Sequence, residues 1–285
     1  MGGIGGMGGM GERRFIKMHG LGNDFVVLDR RANGGTIPAE AARALADRHR
    51  GVGCDQVIVI GESGMADVAL RFFNPDGGEA GACGNGTRCV GALLMDERGD
   101  DHLAVETPAG VLDIEKAAGG LISVDMGLAR TEWNEIPLAE RADTLHLGIS
   151  EGPLADPVAV NMGNPHAVFF VEDAEAIDLA RLGPKLERHR LFPERANIGV
   201  AQVIGEDRLR LRVWERGAGI TLACGSGACA AAVAAHRRNL TGRNLALTLD
   251  GGPLDIAYLP NGHVLMTGPV ATSFTGELDA SLFAG

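Results

Sequence analysis

The chain carries ACGNG at residues 82–86 and ACGSG at residues 223–227, and this repeated motif decides the predicted fold. The two motif cysteines, Cys83 and Cys224, define an offset of 141 in residue number. The same offset brings other positions into register without a gap: Gly22-Asn23 with Gly163-Asn164, Gln56 with Asn197, Leu70-Arg71 with Leu211-Arg212, and Asn74 with Glu215. Further on, GVLDI at residues 110–114 matches GPLDI at residues 252–256 at an offset of 142, after one insertion. Several matches in one register indicate an internal duplication.

The duplication predicts two homologous domains, which we place at residues 13–128 and 129–285. Such halves usually face each other across a pseudo-twofold axis, so we expect the active site in the cleft between them. Residues 1–12 form a Gly/Met-rich leader, which we interpret as disordered and leave out of the fold.

The composition favours a globular protein of the cell interior. Hydrophobic residues make up 45% of 285 residues, which is enough for a core. The net charge of −11, without a long basic run, disfavours a nucleic-acid partner. No apolar stretch approaches the roughly 18 residues that a membrane-spanning helix needs, and the leader lacks the basic start and apolar middle of a signal peptide. We therefore expect a cytoplasmic protein without a membrane partner.

The five cysteines do not form the pattern of a disulfide framework or of a zinc site. Their odd number, in a chain without a signal peptide, argues against structural disulfides. Cys83 and Cys89 are spaced C-x5-C, and Cys224 and Cys229 are spaced C-x4-C. Only the second spacing is usual for zinc, and no close pair of histidines completes a site. We expect no metal.

The secondary structure predicted from the sequence mixes strands and helices within each half. Strands are expected at Phe25–Leu28, Gln56–Ile60 and Val68–Phe73, which are rich in β-branched and aromatic residues. Helices are expected at Pro38–His49, Thr87–Arg98 and Ala228–Arg238. The sequence therefore predicts an α+β domain made twice, with a helix in each half that is entered through a Cys-Gly turn.

Each Cys-Gly turn combines a nucleophile with an anion-binding backbone. The N–H groups and the dipole at a helix N-terminus favour a thiolate, so we expect the thiol pKa to fall below about 8.5. The same N–H groups can hold a carboxylate. Two sulfurs around one carboxylate suit the inversion of an α-carbon, because a thiolate removes the α-proton on one face and a thiol returns a proton on the other. The alternative is that Cys83 and Cys224 are buried small hydrophobic residues, which we expect instead for Cys54, Cys89 and Cys229.

This chemistry needs no carbonyl cofactor, because the backbone donors stabilise the charge that develops on the substrate carboxylate. The sequence has no GxGxxG motif after a strand and no P-loop. These observations leave open whether a lysine of the chain binds pyridoxal phosphate. We expect an enzyme without a cofactor.

Seven segments carry a resemblance to the diaminopimelate epimerase family, from about Phe15 to Gly276. They are MHGLGNDF (residues 18–25), GCDQ (53–56), FFNPDG (72–77), ACGNGTRC (82–89), NMGNPHAV (161–168), ANIGV (196–200) and WERGAGITLACGSGA (214–228). The resemblance implies an isomerase that interconverts LL- and meso-2,6-diaminopimelate for lysine and peptidoglycan precursor biosynthesis. It also implies that each domain is a sheet or barrel wrapped around a central helix, that the last strand can return to the first half, and that the protein is a homodimer.

The resemblance also implies a set of site residues. Cys83 and Cys224 would be the catalytic acid and base, and His166 and Glu215 would tune the thiol pKa values. The residues expected to contact substrate are Asn23, Gln56, Asn74, Gly84, Asn85, Asn164, Asn197, Glu215, Arg216, Gly225 and Ser226. Among them, Arg216 and Glu215 can pair with the carboxylate and the ammonium at the non-reacting end of diaminopimelate.

Three alternatives compete with this interpretation, and the nearest of them shares the fold. Proline racemases and hydroxyproline epimerases share the paired cysteines, but typically have His where Asn85 stands and lack recognition of a second amino-acid end. Lyase-like relatives of the phenazine-biosynthesis type lose the cysteine pair, whereas this chain has both. A zinc-dependent binding module is the third alternative, and metal analysis of the purified protein tests it.

Overall fold

The computed structural model describes residues 13–34 and 36–283, so the leader at residues 1–12 lies outside the described residues. The chain divides into two compact units. One contains the described residues up to Ile122 together with those from Val270 onward, and the other is Ser123–Pro269. The strand Ile122–Leu128 pairs with the strand His263–Gly268 of the second unit, so the division falls before the limit at residue 128 that the sequence suggested.

Nineteen strands are described. Before the division they are β1 (Arg14–Gly20), β2 (Asn23–Asp29), β3 (Gln56–Gly61), β4 (Val68–Phe73), β5 (Glu79–Ala80), β6 (His102–Thr107) and β7 (Gly110–Lys116). They continue with β8 (Ile122–Leu128), β9 (Ser150–Glu151), β10 (Leu154–Ala155), β11 (Val158–Asn161), β12 (Pro165–Phe170), β13 (Asn197–Gly205), β14 (Arg208–Glu215), β15 (Gly219–Thr221), β16 (Asn244–Leu249), β17 (Gly252–Tyr258), β18 (His263–Gly268) and β19 (Ala271–Glu277). The three predicted strands correspond to β2, β3 and β4.

The two units repeat one pattern of strand pairing. In the first unit, β1–β2 is antiparallel, β2–β3 parallel, β3–β4 antiparallel, β4–β6 parallel and β6–β7 antiparallel. In the second unit, the same alternation runs through β11, β12, β13, β14, β16 and β17. Within the first unit, β19 adds to the free side of β1 in antiparallel register.

The register of the pairs matches the offsets found in the sequence. Phe25 is opposite Gln56, and their counterparts at the offset of 141, His166 and Asn197, are opposite each other. Val68 is opposite Val105, and Leu209 is opposite Leu247. Val68 and Leu209 differ by 141 in residue number, whereas Val105 and Leu247 differ by 142, because the latter two lie after the insertion. The predicted duplication and α+β class are confirmed down to the single insertion.

The described residues form four α-helices, which are α1 (Ala39–Ala46), α2 (Gly84–Arg98), α3 (Leu179–Glu187) and α4 (Gly225–Arg237). The predictions for α2 and α4 began three residues too late, because the glycines after each cysteine are poor helix formers. Both helices in fact begin at the residue after the motif cysteine. The prediction for α1 ran three residues too far, because the backbone turns extended at Asp47. In the described part of the chain, no helix is long and apolar enough to cross a membrane.

The helices α2 and α4 are the central helices of their units. Helix α2 packs against β1, β2, β6 and β7, and α4 packs against strands from β11 to β18. A Cβ atom at Gly86 of α2 would lie 2.7 Å from Ile58 Cδ1, and one at Gly91 would lie 2.6 Å from Ile114 Cγ2. These glycines therefore let the helix lie close against the sheet, which fixes the position of its N-terminus.

Candidate active site

In the first unit, the predicted catalytic cysteine lies at the N-terminus of α2. Cys83 is the N-cap residue, with an extended backbone and a half-buried side chain. Gly84 and Asn85 follow in the first turn, where backbone N–H groups have no acceptor within the helix. The sulfur of Cys83 therefore lies at the positive end of the helix dipole, beside donors that can hold an anion.

Four amide side chains predicted for the site lie in two pairs in this unit. Asn23 places Oδ1 3.9 Å from Cys83 Sγ, and the same oxygen accepts a hydrogen bond from Asn85 Nδ2 at 3.2 Å. Gln56 donates from Nε2 to Asn74 Oδ1 at 2.9 Å. Asn23, Gln56 and Asn74 are half-buried, so their remaining polar atoms can reach a ligand.

The second unit repeats this arrangement at the N-terminus of α4. Cys224 is the N-cap residue, is buried, and lies with Sγ 3.7 Å from Ser226 Oγ. Gly225 and Ser226 form the first turn. The side chain of Glu215 also acts on Cys224, and Thr221 Oγ1 donates a hydrogen bond to Glu215 Oε1. At the offset of 141, Glu215 stands where the first unit has the neutral amide of Asn74.

The protonation of Cys224 differs from the sequence-based expectation. Burial raises the pKa of the Cys224 thiol well above its ordinary value, and the negative charge of Glu215 raises it further. Hydrogen bonds from the Gly227 backbone and from Ser226 lower it, but less. The expected fall in pKa at the helix N-terminus is therefore wrong for Cys224, because desolvation and the carboxylate outweigh the dipole. Cys224 is a thiol at neutral pH.

Substitutions at Glu215 and Ser226 should move the pKa of Cys224 in opposite directions. In Glu215→Gln, the negative charge is gone, so the pH midpoint for alkylation of Cys224 should fall. In Ser226→Ala, a hydrogen bond to the thiolate is gone, so the midpoint should rise. Iodoacetamide labelling followed by mass spectrometry of the Cys224 peptide measures both. Shifts of the same sign in the two variants would contradict this description of the thiol.

Two further predicted asparagines of the second unit lie close to the buried ring of His166. His166 Nε2 lies 2.8 Å from Asn164 Oδ1 and 3.4 Å from Asn197 Nδ2. Burial lowers the pKa of His166 to about 3, and the positive charge of Arg216 lowers it as well. His166 is therefore neutral, and the charge that acts on Cys224 is that of Glu215.

Arg216 is held through its backbone and its guanidinium group. Its backbone N–H donates to Asn197 Oδ1 at 2.8 Å, and Nη1 donates to the Glu194 carbonyl oxygen at 2.8 Å. Trp214, two residues earlier, donates a hydrogen bond from Nε1 to Glu187 Oε2 at 2.7 Å. Its ring packs over Gly183 of α3, where a Cβ atom would lie only 2.5 Å from the ring. These contacts fix the turn that presents Glu215 and Arg216.

Several of these supporting residues could not be predicted as part of the site. Thr221 lies in the WERGAGITLACGSGA segment, but no pattern indicates that its hydroxyl holds Glu215. The Glu194 carbonyl has no side-chain signal at all. The three other cysteines, Cys54, Cys89 and Cys229, are buried, and burial raises the pKa of Cys54 and of Cys89 to about 12. Among residues 13–34 and 36–283, no cluster of three acidic, histidine or cysteine side chains is placed to hold a metal ion.

Comparison with known proteins gives consistent results over nearly the whole chain. The profile of the family described as diaminopimelate epimerase matches residues 15–132 and 158–273. The diaminopimelate epimerase of Rhodospirillum centenum is 59% identical over 96% of this chain and 94% of its own length. That of Acidiphilium cryptum is 56% identical over 95% of this chain and 98% of its own length.

Solved structures resemble the fold at much lower sequence identity. A phenazine biosynthesis protein of the PhzF family from Bacillus anthracis has a TM-score of 0.68 and 16% identity, and covers 94% of this chain and 99% of its own. A probable proline racemase from Agrobacterium radiobacter, with bound carbonate, has a TM-score of 0.68 and 15% identity, and covers 94% of this chain and 93% of its own. At such identities, the likeness shows the fold alone.

Proposed function

The chain belongs to the diaminopimelate epimerase family and is an isomerase that interconverts LL- and meso-2,6-diaminopimelate in lysine biosynthesis, and we propose that Cys83 and Cys224 are the acid–base pair of this reaction. The observation that carries the proposal is that each copy of the duplicated motif places its cysteine at the N-cap of a central helix. None of the other three cysteines lies at the N-terminus of a helix, because Cys89 and Cys229 lie inside α2 and α4 and Cys54 precedes β3.

In the proposed reaction, the Cys83 thiolate takes the α-proton, and the C–H electron pair moves into the substrate carboxylate. The backbone N–H groups at Gly84, Asn85, Gly225 and Ser226 stabilise that charge. The Cys224 thiol then gives its proton to the opposite face of the α-carbon. The raised pKa of Cys224 supports its role as the acid in this direction. The reverse reaction uses the same two sulfurs with their roles exchanged.

The non-reacting end of the substrate is proposed to bind Arg216 and Glu215. A carboxylate and an ammonium that lose water on binding each need a charged partner, because a buried charge without one is costly. Arg216 can hold a carboxylate through two parallel hydrogen bonds. The remaining acceptor sites of that carboxylate are proposed to bind Asn74, Asn164 and Asn197. Asn23 and Gln56 are proposed as further contacts with the substrate. His166 is proposed to act on the thiols only indirectly, since it is neutral.

We propose that the protein is a cytoplasmic homodimer. It binds the small-molecule substrate and has no nucleic-acid or membrane partner. The net charge of −11 supports the absence of a nucleic-acid partner. The product, meso-diaminopimelate, would also serve as a precursor of peptidoglycan.

Substrate choice tests the proposed recognition of two amino-acid ends. The purified protein, without added pyridoxal phosphate, should exchange the α-proton of LL-diaminopimelate in deuterated water. Lysine and proline should exchange at least about 100-fold more slowly, because the partners of the second carboxylate or ammonium stay unsatisfied. Mass spectrometry of the recovered amino acids measures the exchange. A preference for proline would support the racemase alternative instead.

A further inference from the structure

Asn23 connects the motif cysteine of the first unit to a carboxylate that the mechanism does not use. Its Oδ1 faces Cys83 Sγ at 3.9 Å, whereas its Nδ2 donates to Asp55 Oδ2 at 2.9 Å. An ionised carboxylate only accepts hydrogen bonds. The amide nitrogen of Asn23 must therefore point to Asp55, and its oxygen must point to the sulfur.

Asp55 is itself held in place by two further donors. The backbone N–H of Asp24 donates to Oδ2 at 3.1 Å, and Arg48 Nη2 donates to Oδ1 at 2.7 Å. The backbone N–H of Asp55 in turn donates to Asp24 Oδ1 at 3.0 Å. The ends of the parallel strands β2 and β3 are thus braced against each other, so the oxygen that faces Asn23 has little freedom to move.

Two basic residues, Arg48 and Lys17, hold the Asp24 side of this brace. Arg48 also donates to Asp24, at 2.8 Å from Nη2 to Oδ1, and buried Lys17 donates to Asp24 Oδ2 at 2.5 Å and to the Gly53 carbonyl oxygen. Burial would raise the pKa of Asp24, but the hydrogen bonds from Arg48 and Lys17 outweigh it and lower the pKa to about 2. The brace therefore keeps its charge across the physiological pH range.

The second unit has no counterpart to this carboxylate. At the offset of 141, Asp55 corresponds to Ala196, which is buried and apolar. Asn164, the counterpart of Asn23, instead turns its Oδ1 to His166 Nε2 at 2.8 Å. The two halves therefore orient equivalent asparagines by different means, and only the first half does so with an acid.

We infer that Asp55 is a positioning residue, which fixes the amide of Asn23 so that an oxygen and not an N–H group faces Cys83. The inference rests on the proposed role of Cys83 and deepens it. An acceptor oxygen beside the sulfur stabilises the S–H form and disfavours the thiolate, whereas an N–H group would do the reverse. Asp55 thereby sets how readily Cys83 gives up and takes back its proton.

The test compares Asp55→Ala with Asp55→Asn by alkylation of Cys83 at a series of pH values. Alanine leaves the Asn23 amide without its acceptor, so the pH midpoint should fall by about one unit, a tenfold rise in thiolate. Asparagine keeps one oxygen that can take the place of Oδ2 and loses only the exposed contact with Arg48. Its midpoint should stay within about 0.3 unit of the original protein, because the lost charge is exposed and screened.

This pair separates orientation from charge, since both variants remove the same negative charge. Both variants keep the other charged residues of the brace, Lys17, Asp24 and Arg48. They also keep Arg88 and Cys89 on α2, of which Cys89 interacts electrostatically with Cys83. Equal shifts in the two variants, or no shift in Asp55→Ala, would overturn the inference. Alkylation needs no turnover, so this result is independent of whether the protein epimerises diaminopimelate.

A second variant keeps the test decisive if Asp55→Ala does not fold. Asn23→Ala removes the oxygen next to the sulfur, so it should lower the alkylation midpoint of Cys83 by a similar amount. In the Asn23→Ala background, adding Asp55→Ala should cause no further shift. An unchanged midpoint in Asn23→Ala, or a full additional shift in the double variant, would show that Asp55 does not act through Asn23. Thermal unfolding of each variant confirms that it is folded.

Discussion

Replacing Cys83 or Cys224 by alanine is expected to lower kcat for epimerisation by at least about 1,000-fold, because each change removes one of two proton-transfer groups. Each alanine variant lacks the sulfur that transfers a proton on one face of the substrate α-carbon. Steady-state assays of LL-diaminopimelate conversion, with chiral separation of the product, measure the loss.

The matched controls are cysteines on the same helices. Cys89 on α2 and Cys229 on α4 are buried, so Cys89→Ala and Cys229→Ala should cost some stability and leave most of the activity. Cys54→Ala should behave in the same way, because Cys54 packs in the apolar core beside α1 and does not lie at a helix N-terminus. Near-normal turnover in Cys83→Ala or Cys224→Ala would rule out the two-cysteine mechanism.

Arg216→Met is expected to lower kcat/KM for diaminopimelate by a few hundred-fold, or about 3 kcal/mol in transition-state stabilisation, because a desolvated carboxylate loses its partner. The contact between Arg216 and the Glu194 carbonyl already holds the guanidinium group in place. Arg216→Lys should also lose much of the activity, because lysine lacks the planar fork.

Arg181→Met is the control for the loss of an exposed arginine in the same unit. Arg181 lies on α3 and forms an exposed pair with its neighbour Asp178 across the first turn, so kcat/KM should change less than about twofold, as expected for surface pairs. An unchanged kcat/KM in Arg216→Met would show that another group binds the second carboxylate.

The fold was predictable because the duplication leaves glycine and polar residues that recur in the sequence at a fixed offset. The strand register of the two units reproduces that offset, including the insertion before residue 252. The starts of α2 and α4 were missed because local propensity disfavours GNG and GSG in a helix. In the folded chain, the close packing of α2 at Gly86 accounts for the glycine there.

The chemistry of the thiols was less predictable than their positions. Helix geometry alone favours a thiolate at Cys224, but the direction of its pKa shift depends on burial and on the carboxylate of Glu215, which lies at the end of β14. The contacts of Thr221 with Glu215 and of Asp55 with Asn23 depend on side-chain orientation across separate strands. No spacing in the sequence encodes such orientations.

The most direct test of the central proposal is the fate of the α-hydrogen during early turnover in deuterated water. LL-diaminopimelate should be converted without added pyridoxal phosphate, and samples should be taken before a tenth of it has reacted. Two cysteines that serve opposite faces predict one solvent deuterium at the inverted carbon of the meso product, and almost none in the recovered LL substrate. Deuterium that enters recovered substrate as fast as product, or that fails to enter product at all, would contradict the transfer of protons between two separate bases.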